Sequence, residues 1–382
     1  MNEIGRDILT DIDVLSLSID NRLHLSSASL ECKSGKGQSG EAYTIVWLAG
    51  FRQLLRLDQV TIVRQAVTSR GRALARRLGI VAIDDQALKR LESAYEAVPE
   101  RFAHVDGPEC LLAEERTDKQ LKGLPTISLD LVRFLRGHGT LADSPALISA
   151  VVALGSSFDR QGAVPEPTAQ VLSGHALNAL VLAAVLDAGR VDQIGHADLR
   201  RRLERALTLG DADDDYILQV LERADAVVRW SQDKLHRAYV ENGADRLNID
   251  VPSLRDTIAS PPDFIDDYID FVLRLRANPL VGRELLQTTE LVCFDALLGG
   301  TAWRAESFEH LFTPAHRGLL MVALRCLRRI GGGYVADPLQ DISNLPFRTG
   351  VSAPFDPVKH GVSEFSGVSK GEAEQQELPI DP

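Results

Sequence analysis

Two hydrophobic spacings divide the chain. Up to about residue 96, stretches with a period of two alternate with stretches of period three to four; beyond residue 127 only the helical period remains. A first strand is predicted over residues 11–20, where Ile12 and Val14 alternate with Asp11 and Asp13, and the turn pair Asp20-Asn21 folds it back beside a second strand ending at Glu31-Cys32-Lys33. Ser39 is placed to cap a helix over 41–57, apolar enough that most of its surface should be buried. A strand over 59–64 follows, then a helix over 69–78 started by Thr68 and stopped by Gly79, a strand over 80–83, and a helix from the Asp84 cap to about Ala97. Strands alternating with helices predict an α/β unit over residues 1–97.

Residues 98–126, with Pro99, Pro108 and Pro125, read as a linker or irregular segment. Helical patterns then run over about 127–137, 144–157, 169–189, 196–208, 214–241, 263–276, 280–298 and 314–329, so residues 127–336 are expected to form an all-helical domain. The clearest is 214–241, where Ile217, Val220, Leu221, Ala224, Val228 and Leu235 make one stripe. After Gly331-Gly332-Gly333 the pattern ends. Residues 337–382 carry eight acidic and three basic side chains and read as a disordered acidic tail.

Candidate chemistry concentrates at the second strand. Side chains two apart on a strand emerge on one face, so the Glu31 carboxylate and the Lys33 ammonium lie side by side, and the hairpin brings Asp13 close to Glu31. Buried charges of this kind are costly unless paired or holding a metal. Two carboxylates and a lysine at a sheet end suit magnesium, which takes oxygen ligands and keeps several waters. The glycines of residues 34–40 fail the phosphate-loop pattern, because Gly35-Lys36 is followed by Gly37 and position 30 is Leu30.

An Asp on one strand (Asp13) followed by Glu-x-Lys on the next (Glu31-Cys32-Lys33) resembles the signature of the PD-(D/E)XK, or restriction-endonuclease-like, nuclease superfamily. The order of helix, strand, helix and strand after it is similar to the Mrr-like branch, over roughly residues 1–96 only. The resemblance implies a restriction-endonuclease-like α/β domain ahead of the all-α domain, with Asp13, Glu31 and the backbone carbonyl of Cys32 holding Mg2+ (or Mn2+). Lys33 would orient or help deprotonate the attacking water. The family's core usually opens with a helix and a further strand, for which only about ten residues precede Asp11.

The net charge of −12 argues against a nucleic-acid partner until its distribution is read. Residues 51–90 hold nine basic and three acidic side chains, and a basic face beside a metal site suits phosphate. Lys36, Arg64, Arg70, Arg72 and Arg76 are the candidate contacts. DNA is the expected partner, a homodimer the expected form for cutting two strands, and the helical domain a candidate protein-binding unit. An alternative is a binding module of the same fold without catalysis. A second alternative rests on Arg229 and His236, two turns apart on one helix, which loosely resemble the signature of helical HEPN ribonucleases and would cut RNA without a metal. The four cysteines show no Cys-x-x-Cys spacing and the longest apolar run, Ala179 to Leu186, is too short to cross a bilayer; a cytoplasmic protein is expected, with no membrane partner.

Overall fold

The computed structural model describes residues 12–33, 40–93, 107–209, 216–243, 253 and 261–347. A four-stranded sheet in the order β1-β2-β3-β4 comes first: β1 (Val14–Ile19), β2 (Leu25–Lys33), β3 (Gln59–Arg64) and β4 (Val81–Asp84). β1 runs antiparallel to β2, while β2, β3 and β4 are mutually parallel. Parallel neighbours require crossovers, supplied by α1 (Glu41–Leu55) and α2 (Ser69–Arg77). The local signals act as expected: Thr68 accepts the Gly71 N–H at 2.9 Å, Gly79 takes φ +68° past the end of α2, and Asp84 accepts the Ala87 N–H at 2.8 Å to start α3 (Asp85–Glu92).

Ile45, Leu48 and Phe51 of α1 and Ala75 of α2 pack on Val60 and Ile62 of the sheet. The prediction that most of the surface of α1 is buried is corrected: Tyr43, Val46 and Leu54 are 76%, 55% and 64% exposed. One face suffices to cover the sheet, and the other is left as an apolar groove with Trp47 stacked on Phe51. The C-terminal end of α1 is fixed by Arg52, whose guanidinium donates to the carbonyls of Leu57, Asp58 and Gly79. The cap expected at Ser39 lies outside the described residues; Gly40, at φ +84°, precedes the helix and offers no side chain.

The second unit is helical: α4 (Pro108–Leu121), α5 (Leu129–Arg133), α6 (Ser144–Gln161), α7 (Thr168–Ile194), α8 (His196–Leu209), α9 (Tyr216–Glu241), α10 (Ile265–Ala277), α11 (Pro279–Leu291), α12 (Pro314–Gly331) and α13 (Gly333–Ala336). α7 is its axis. Buried residues such as Val171, Leu172, Leu177, Leu180 and Val185 occur on all its faces, and α4, α6, α10, α11 and α12 surround it. Among the described residues this is the one helix long and apolar enough to cross a membrane, and 83% of that window is buried within the protein.

Two sequence readings are corrected at the edges of this unit. The expected linker at 98–126 contains α4, whose Cys110, Ala113 and Leu121 enter the helical core; proline at its first position starts this helix rather than breaking it. The acidic tail expected from residue 337 is corrected over its first residues: Leu339 and Ile342 are wholly buried in a 3-10 segment over Asp337–Asn344, and Phe347 rests on Phe312. Residues 348–382 lie outside the described residues.

The two units meet through the β1–β2 turn. Asp20 accepts the N–H groups of Arg22 and His24, holding Leu23 at φ +66° with its side chain wholly buried in the helical core. The socket is built from small residues: a Cβ on Gly189 would lie 2.4 Å from the Leu23 carbonyl oxygen, and one on Gly282 would lie 3.3 Å from the Leu23 side chain. Arg276 donates to the Arg22 carbonyl at 2.9 Å, and Arg283 reaches the Asn21 side chain.

Candidate metal and phosphate site

Parallel strands joined by helices bring the C-terminal ends of β2, β3 and β4 and the starts of α1, α2 and α3 to one edge of the sheet, the edge where such sheets commonly bind ligands. Register fixes which side chains share it. Val14 pairs with Leu30, so Asp13, one step earlier, faces Glu31; Glu31 pairs with Ile62, and Lys33 with Arg64, which pairs with Asp84. The Asp13 carboxylate accepts the Cys32 N–H at 2.7 Å, which ties it to the second strand. Glu31 is 8% exposed, and its carboxylate forms an ion pair with Lys33, itself about half exposed. The hydrogen bond to Glu31 holds the Lys33 ammonium above the ordinary lysine range, so the group is a cation at neutral pH, suited to placing and neutralising rather than to taking a proton. Burial raises the Cys32 thiol, assisted by Asp13 and Glu31.

No family model, curated protein or solved structure matches this chain.

The donor set can be tested against the metal. Among the described residues no group of three or more His, Cys, Asp and Glu side chains could enclose an ion. Two carboxylates and a backbone carbonyl do fit magnesium, which is commonly held by one or two carboxylates with waters completing its shell. Glu31 is a nearly buried carboxylate whose charge is balanced by an adjacent ammonium.

The expected phosphate contacts separate into distinct groups. Arg70 and Arg76 are exposed on α2, but Arg70 lies in its first turn, at the site's edge, and Arg76 in its last. Arg72 is exposed yet forms an ion pair with Asp84, which the Ala87 N–H and Arg72 together hold below the usual carboxylate range. Arg64 is a correction: expected as a phosphate contact, it is 8% exposed and lies within the sheet. A strand residue paired between Lys33 and Asp84 has neighbours on both sides, and period-two spacing does not reveal how far they cover it. Lys36 lies outside the described residues. Arg229 and His236 lie on α9, Arg229 exposed and His236 half-buried.

Sequence reasoning missed Glu41. In the fold it is 7% exposed and accepts both the Thr68 N–H at 3.1 Å and the Thr68 hydroxyl at 2.6 Å. It rests on Gly71, where a Cβ would come within 2.5 Å of the carboxyl carbon. Glu41 therefore ties the start of α1 to the start of α2, beside the site. Its partner stands 27 positions away, and nothing local marks it.

Proposed function

We propose that the sheet edge is the active site of a metal-dependent nuclease acting on DNA, of restriction-endonuclease-like type. One observation carries the reading: Asp13, Glu31 and Lys33, distant by up to 20 positions, converge on one end of a mixed sheet with the two carboxylates in facing register. Asp13, Glu31 and the Cys32 carbonyl would hold Mg2+ or Mn2+. When bound, that ion supplies a nucleophilic hydroxide at neutral pH and offsets charge on the phosphate. Lys33 would place the nucleophile and neutralise developing negative charge. Among the described candidates on α2, Arg70, exposed in its first turn, is the cation placed to hold a phosphate near the site.

The test is cleavage of supercoiled, linear and single-stranded DNA, and of RNA, in magnesium, manganese and EDTA. Metal-dependent cutting of DNA, lost by a factor of at least about a hundred in Lys33→Ala and Glu31→Gln, is the expected result. Retained DNA binding without cutting would replace the nuclease by a binding module of the same fold. RNA cutting that persists in EDTA and vanishes in His236→Ala would move the activity to α9.

A further inference from the structure

α9 (Tyr216–Glu241) is a continuous helix of 26 residues, about 39 Å long, and among its described side chains, residues 219–241, none is buried. Apolar side chains stand in solvent along it: Leu235 is 61% exposed, Val227 and Tyr239 to either side of it around the helix are 62% and 66% exposed, and Leu221, Ala224 and Val228 are partly exposed. A helix with this much apolar surface is ordinarily covered. Its spacing says by what. Leu221, Ala224, Val228, Ser231, Leu235 and Ala238 follow one another at intervals of three and four, the alternation of the a and d positions of a two-stranded coiled coil, and in the sequence the same rhythm starts at Ile217.

From Leu221 to Ala238, large residues fall at one position of the repeat (Leu221, Val228, Leu235) and small ones at the other (Ala224, Ser231, Ala238); Ile217, one step earlier at the second position, is large and lies outside this span. Two parallel copies in register would set Leu against Leu in one layer and Ala against Ala in the next, leaving gaps. Two antiparallel copies bring Leu221 opposite Ala238, Ala224 opposite Leu235 and Val228 opposite Ser231, so every layer holds one large and one small side chain. We propose that α9 is the interface with a second copy of this chain, packed antiparallel about a two-fold axis passing between Val228 and Ser231. The small residue in each layer allows close approach of the helices, and the pairing is self-complementary as a two-fold interface requires. Arg229 and His236 follow the seam residues Val228 and Leu235 directly and so point away from the seam, while Lys234 covers the outward Trp230 ring at 4.0 Å.

The proposal stands on the helix itself and does not depend on the nuclease reading, though two sites related by a two-fold axis are what cutting both strands of DNA needs. The test is sedimentation and light scattering of the full chain over a range of concentrations. Expected is a species of twice 41.8 kDa that becomes monomeric in Leu221→Lys/Leu235→Lys with an unchanged far-ultraviolet circular dichroism spectrum. Leu221→Ala and Ala238→Leu should each weaken the dimer at least tenfold, and the two together should restore it, because the exchange recreates a large-small layer only in the antiparallel arrangement. Should the lysine variant fail to fold, mixing chains carrying Val228→Cys with chains carrying Ser231→Cys decides the matter, the expected outcome being a disulfide-linked pair. A chain that is monomeric throughout, as when α9 docks on its own bundle or on a different protein, overturns the proposal. So does a dimer that ignores the lysine substitutions, or a double exchange that fails to restore pairing.

Discussion

Asp187 lies wholly buried on α7, where it accepts the hydroxyls of Ser144 and Tyr268 at 2.7 Å each, with Arg190 at 3.6 Å. Burial pushes its carboxyl up from the ordinary 3.8, against the lowering effect of the two hydroxyls and the arginine. A carboxyl raised in the folded state binds more protons there than when unfolded. Its contribution is therefore fully present below pH 3.8 and is lost as pH rises through the folded value. Asp187→Asn should remove this component: melting temperatures measured on both proteins across the acidic range should show wild type losing ground to the variant as pH rises. Glu41 is a buried carboxylate that accepts both the N–H and the hydroxyl of Thr68. Glu41→Leu leaves the Thr68 donors without their partner and should cost about 1–3 kcal/mol in urea unfolding. On the proposed nuclease reading, the same substitution should also lower DNA cleavage, because α2 then loses its fixed position beside the site.

At the scale of elements, the β1–β2 turn is the piece that joins sheet to bundle, and its seat depends on the absence of side chains at Gly189 and Gly282. Gly189→Ala would bring a methyl within 2.4 Å of the Leu23 carbonyl oxygen, backbone against backbone, so the turn must move. Overpacking of this kind typically costs about 1–3 kcal/mol. Thermal unfolding should register the loss, and hydrogen exchange should quicken first at residues 20–25. Gly282→Ala, where the nearest atom is a movable leucine methyl, should cost less. An equal effect of the two substitutions would mean that the turn is not seated as described.

Taken whole, the molecule holds two hydrophobic clusters, one under the sheet and one around α7, with the turn at Leu23 reaching from the first unit into the second. Ile62 is central to the smaller cluster, stands next to Glu31 in the ladder and is fully buried. Ile62→Ala should cost about 2–5 kcal/mol. Amide exchange should rise through β2, β3 and α1, while α7 keeps its protection; a uniform rise over both units would show that they unfold as one.

Strand alternation, helix period and capping residues were enough to place every strand of the sheet, the crossover helices and most helices of the bundle, because these signals act over a few residues. Thr68, Gly79 and Asp84 do locally what their chemistry predicts. The facing of Asp13 and Glu31 was also legible, since a short turn fixes the register of a hairpin. Tertiary structure alone decided the rest. Arg64 became buried and Arg72 became paired through strands and helices that arrive later in the chain, and Arg52 spent its charge on three backbone carbonyls. The supposed linker became α4 because α7 offers its apolar residues a surface to cover, and Leu23 left its hairpin for a socket more than 150 positions away. Local propensity sets what a segment can form, but burial depends on which surfaces the completed fold brings against it.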